Sequence, residues 1–136
     1  MGTSVENADY TWRVRELVRV PAKVRFLSVE PLLGPINLRE VQIGTYRYDM
    51  LAGERRGTIT RDIIPCHALD WVIVGGESGG GRRQCEIDWI ASLVKQCKDT
   101  GVPIWVKQDS AYRPGQQGRI PDDLFIQQEP SRARFR

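Results

Sequence analysis

The run Trp71-Val72-Ile73-Val74, passing without a break into Gly75-Gly76-Glu77-Ser78-Gly79-Gly80-Gly81-Arg82-Arg83, narrows the fold more than any other feature of the chain. Four successive β-formers read as a strand, and a wholly apolar strand is the mark of one covered on both faces. The glycines end it and let the backbone turn sharply. A helix is then predicted over about Ile87–Thr100, with Ile87, Ile90, Leu93, Val94 and Cys97 on one face and Gly101 as a left-handed stop. Pro103 introduces a further strand, Ile104-Trp105-Val106, which ends at Lys107-Gln108. Strand, tight turn, helix and strand make a βαβ unit.

The upstream part repeats the arrangement. Gly2–Glu6 is short and β-compatible, and about Ala8–Val20 places Leu17 and Val18 beside Arg15-Glu16 in a helical pattern stopped by Pro21. Val24–Val29 reads as a strand whose pairing should end at Glu30, because Pro31 has no N–H to donate. Between about 39 and 68 the periodicity changes. Val41–Tyr46 and Gly57–Ile64 alternate on either side of the turn-like Ala52–Arg56, which predicts a β-hairpin insertion. The last part is rich in Gly, Pro and Gln, with an apolar patch at Leu124-Phe125-Ile126 and a flexible tail from about 130 to 136. The whole predicts a single α/β domain over 1–136, with parallel βα units and right-handed crossovers.

In such sheets ligands lie outside the carboxyl ends of the strands. That rule puts Glu6, Glu30, Glu77 and Lys107 on one rim and makes Gly75, Gly76, Ser78, Arg82, Arg83 and Gln108 their neighbours. Backbone N–H groups of the glycine loop can approach a ligand closely, the next helix N-terminus favours anions, and Arg82 and Arg83 add charge. The loop is neither a Walker A motif nor a G-x-G-x-x-G fingerprint. Its plainer reading is a turn with solvated arginines. Glu77 can serve as a hydrogen-bond acceptor or base, or simply pair with Lys107 or Arg82. Lys107 reads first as a counter-ion, and no residue is assigned a catalytic role. Trp12, Trp71, Trp89 and Trp105 read as core or interface residues.

Composition excludes several classes. The 136 residues are 40% hydrophobic and 27% charged, an ordinary globular balance. No apolar run approaches the ~20 residues of a membrane span, and the N-terminus lacks the pattern of a secretory leader, so a cytoplasmic location with no membrane partner is expected. Cys66, Cys85 and Cys97 have neither disulfide-framework nor zinc-ribbon spacing, and His67 adjoins Cys66 too closely to chelate with it. No metal site is predicted. A net charge of +3, with Arg132, Arg134 and Arg136 in the tail, does not indicate nucleic acid.

Four blocks, Gly2-Thr3-Ser4-Val5-Glu6-Asn7, Phe26 to Pro35, Leu69 to Gly79 and Val106-Lys107-Gln108, together resemble a phage- and prophage-associated family of unknown function that looks like a radical-SAM-type barrel. The resemblance covers most of the chain except the insertion and tail. It implies that the chain corresponds to the C-terminal half of a TIM-type barrel, and that relatives carry an upstream cysteine cluster suited to an iron–sulfur site. The dispersed cysteines here do not supply closely spaced thiolates, so S-adenosylmethionine or a cluster is expected only in a completed barrel. The leading expectation is an accessory, non-catalytic half acting through assembly, as a homodimer or with a complementary half-barrel. The rivals are an enzyme subunit completed in that way and binding an anionic substrate or S-adenosylmethionine, and a phage-encoded modulator of a host protein. The corresponding location is the cytoplasm of a bacterial host. Four strands are also expected to leave two unpaired sheet edges.

Overall fold

The computed structural model describes residues 1–131. Strands β1 (Gly2–Ser4), β2 (Phe26–Val29), β7 (Trp71–Gly75) and β8 (Ile104–Gln108) form one sheet in that spatial order. All three pairings are parallel, with Leu27 opposite Val72 and Val72 opposite Ile104. A second, antiparallel sheet contains β3 (Val41–Ile43), β4 (Tyr46–Asp49), β5 (Glu54–Gly57) and β6 (Ile63–Pro65), in chain order. The helices are α1 (Trp12–Arg19) and α2 (Ile87–Thr100). The predicted tail lies, from 132 onward, outside the described residues. Among them no helix is long and apolar enough to cross a membrane.

Each helix forms for reasons visible in its sequence. In α2 the buried stripe is Ile90, Leu93, Val94 and Cys97, and Gly101 ends it at φ 71°. Burying a side chain of that size contributes about 1.5–3 kcal/mol, so the stripe fixes α2 on the sheet. The first helix is shorter than its periodicity predicts. The Asn7 side chain accepts from Asp9 N–H and draws Ala8–Tyr10 into a separate 3₁₀ turn. Val14, Leu17 and Val18 are the buried face of α1.

Burial alternates along β2, along Trp71–Val74 and along β8. Leu27, Val29, Val72, Val74, Ile104 and Val106 are buried, whereas Phe26, Ser28, Trp71, Ile73 and Trp105 are partly exposed. The apolar run at Trp71–Val74 predicts two covered faces; the structure buries one of them and covers the other only in part. On the other, Phe26, Trp71 and Trp105 form a ladder across three strands, with successive ring centroids 6.2 and 6.5 Å apart. The expectation of two free edges is also corrected. Val106 N–H donates to Ile126 O at 2.7 Å and Gln128 N–H to Ile104 O at 2.9 Å, so the apolar patch near the C-terminus brings a covering segment along β8.

The insertion is a four-stranded meander, not a hairpin. Gly44, at φ 60°, splits the run read as one strand, and the second run is a turn from Thr58 onward that closes between β5 and β6. The meander joins β2 to β7 and takes the place of a crossover helix. Its entry and exit meet at one residue: Met50 N–H donates to Leu38 O and Met50 O accepts from Leu69 N–H, both at 2.8 Å. Leu38, Val41, Tyr48, Met50, Leu51 and Leu69 continue the core beneath the sheet. On the α2 side, Gln96 accepts from Leu38 N–H at 2.8 Å and donates to Ile36 O at 2.9 Å.

Candidate functional site

Parallel pairing carries the strand ends to one side, where Ser28, Glu30, Pro31, Gly76, Glu77, Ser78 and Lys107 line a shallow, open depression of about 450 Å³. Five of the sequence-derived residues therefore meet there: Glu30, Gly76, Glu77, Ser78 and Lys107. Lys107 Nζ lies 3.0 and 3.2 Å from the two Glu30 carboxylate oxygens, joining the ends of β2 and β8 across β7. Glu6 is turned to Arg13 at 3.6 Å. Gly75 and Gln108 are buried supports. Gly75 O accepts from Leu32 N–H, while Gln108 Nε2 donates to Gly76 O and its Oε1 accepts from Gly115 N–H.

Glu77 is held by the arginine that follows the glycines. Arg83 donates to its carboxylate from Nε at 2.9 Å, from Nη2 at 3.0 Å and from the backbone N–H at 2.8 Å. These bonds, side chain first, lower the Glu77 pKa to about 2. Glu77 is thus a carboxylate acceptor at any ordinary pH and a poor proton acceptor. The guanidinium is correspondingly raised by the side-chain bond. Arg82 instead donates to Gly79 O at 3.1 Å. Two further loop N–H groups are committed, Gly76 to Gln108 O and Gly79 to Ala111 O. The next helix starts four residues beyond Arg83, with Glu86 as its N-cap and Asp88 in its first turn, so acidic groups already occupy its positive end. A side-chain NMR titration should place the Glu77 midpoint near 2. Arg83→Gln should move it up toward the ordinary glutamate range; an unmoved midpoint would show that the guanidinium is not its cause.

A supporting layer under the rim was not among the sequence-derived candidates. Asp109 follows β8 directly, and its side chain is 2% exposed. It accepts from Arg119 N–H at 2.8 Å, Arg119 Nε at 3.0 Å, Arg119 Nη2 at 2.8 Å and Ser110 N–H at 2.7 Å. Burial pushes its carboxyl pKa up, but the Arg119 and Ser110 hydrogen bonds outweigh that and hold it below the usual range. Arg119 Nη2 also reaches Cys85 O at 2.8 Å, tying the loop before α2 to the loop after β8. An aspartate just past a strand end was the only sequence signal for this cluster.

Among the described residues no group of three or more His, Cys, Asp or Glu side chains converges as a metal-ligand set. Burial pushes both the Cys85 and Cys97 thiols up to about 12. Cys66 is half-buried and likewise raised by burial.

Fold and rim define a mixed α/β protein with an open parallel sheet, an appended antiparallel sheet and a polar depression at the strand ends. The chain belongs to the family described as protein of unknown function (DUF5131), which matches residues 1–131. No curated protein and no solved structure matches it.

Proposed function

We propose that this chain is an accessory, assembly-dependent part of a radical-SAM-like barrel, in which a second polypeptide surface closes the sheet and the rim presents a polar depression to a ligand. The observation that carries this reading is the only partly covered sheet face bearing Phe26, Trp71, Ile73 and Trp105. An apolar sheet face is ordinarily covered, and here both helices lie with the opposite, buried face. The covered β8 edge directs association to this face rather than to strand addition there. A homodimer is the simplest closed solution, with a complementary half-barrel as the heteromeric form. Sedimentation equilibrium from low to high micromolar concentration should show reversible self-association that Ile73→Lys, at the centre of the face, abolishes. A parent chain monomeric throughout would defeat the homodimer.

A second reading is favoured by the rim itself. The depression gathers residues from the ends of β2, β7 and β8, the side on which parallel sheets bind ligands. An assembled form would then be an enzyme subunit binding an anionic substrate or S-adenosylmethionine. The fixed pairs Glu30–Lys107 and Glu77–Arg83 would serve there as orienting acceptors and donors.

A further inference from the structure

A concentration of positive charge lies away from the rim. A cleft of about 510 Å³ between α1 and the meander is lined by Arg15, Val18 and Arg19 from the helix and by Tyr48, Arg55 and His67, among others, from the opposite wall. It shares no residue with the depression at the strand ends. Three guanidinium groups from two separate elements therefore border one cavity.

Their partners do not balance them. Glu16 is the carboxylate nearest to Arg15 and Arg19, bridging them at 3.7 Å each, and its side chain is 54% exposed. Such a contact contributes little and is readily exchanged. Arg55 is the more telling group. Its Nε is buried and has no hydrogen-bond partner. Among the described residues its guanidinium makes no ion pair; it stacks instead on Tyr46, 4.9 Å from the ring centre. A buried donor without an acceptor ordinarily costs about 1–3 kcal/mol, and Arg55 is held at the cavity wall with its charge uncompensated by any carboxylate among the described residues.

We propose that this cleft is a binding site for a small phosphate ester. The guanidiniums of Arg15, Arg19 and Arg55 take the phosphate, and Val18 and Tyr48 receive its apolar or aromatic body. Phosphate fits better than a single carboxylate because its near-double charge and three acceptor oxygens suit a cavity lined by three guanidinium side chains. The apolar floor distinguishes an ester from free phosphate.

Isothermal titration of the whole chain with phenyl phosphate tests this, with inorganic phosphate and phenol as separate arms. Phenyl phosphate should bind saturably, inorganic phosphate more weakly at the same site, and phenol not measurably. Raising the salt should weaken the phosphate arms. Arg55→Gln should lower the phenyl phosphate affinity at least tenfold, and the paired change Arg15→Gln with Arg19→Gln should do the same. The paired change Arg82→Ala with Arg83→Ala, at the rim, should leave it unaltered. If Arg55→Gln does not fold, the exposed-helix pair gives the answer alone. No binding by the parent, undiminished binding in the helix pair, or loss through the rim pair would each overturn the proposal.

Discussion

Asp109→Ala should destabilise the chain by about 2–4 kcal/mol, somewhat less than the ~3–5 kcal/mol for breaking a wholly buried ion pair, because Arg119 can turn partly to water. The carboxylate is buried and accepts from Arg119 three times and from Ser110 N–H, so its removal strands several donors at once. For a domain of this size the thermal midpoint should fall by on the order of 10 °C. The pH dependence has a definite sign. A carboxyl held below its unfolded value contributes stability that is complete above about pH 4 and is lost as pH falls through the lowered native value. The parent should therefore lose stability in acid more steeply than Asp109→Ala, whose curve lacks this component. Denaturant melts at a series of pH values measure both effects. A variant melting within a degree or two of the parent would mean that the cluster contributes nothing.

The second large effect is expected one strand away. A Cβ at Gly76 would collide with the backbone N of Ser110 and lie 2.8 Å from the carbonyl carbon of Asp109. Both obstacles are main chain, so relief requires the end of β7 to part from the segment following β8. That motion would break Gly76 N–H to Gln108 O and the buried bond from Gln108 Nε2 to Gly76 O. Overpacking and an unsatisfied buried amide together put Gly76→Ala at about 2–4 kcal/mol. Gly80→Ala, in the same loop but with nothing within 4 Å of its added carbon, should change stability by less than about 0.5 kcal/mol. Equal effects of the two substitutions would refute the close-approach argument.

The contrast between those glycines bears on how much of the molecule was legible beforehand. Helix α2 and its stop were readable because a long amphipathic stripe and a positive-φ glycine are local signals. The parallelism of the four main strands followed from alternation of elements, with Glu30, Glu77 and Lys107 carried to one end. The meander was not readable in detail. Strands such as Tyr46–Asp49 and Glu54–Gly57 carry arginine and carboxylate side chains, and their stability comes from cross-strand partners rather than from intrinsic preference. The sequence also could not show that Glu77 would choose Arg83 over Lys107 or Arg82. That choice depends on how the loop folds back, bringing the Arg83 backbone N–H and side chain to one carboxylate. The Asp109 cluster was invisible for a similar reason. Its members at 85, 109, 110 and 119 are assembled by tertiary contact, and no periodicity links them.

The closure at Met50 makes the segment between β2 and β7 a cassette. Its two ends are pinned to a single backbone position, and its strands pair only with one another. Exposed residues of the turn between β5 and β6, such as Ile59, take no part in the register that sets Leu27 opposite Val72, so changes there should leave that register intact. Variation can therefore accumulate in the arm while the sheet and its rim keep their register, and one scaffold can carry different outer surfaces through descent.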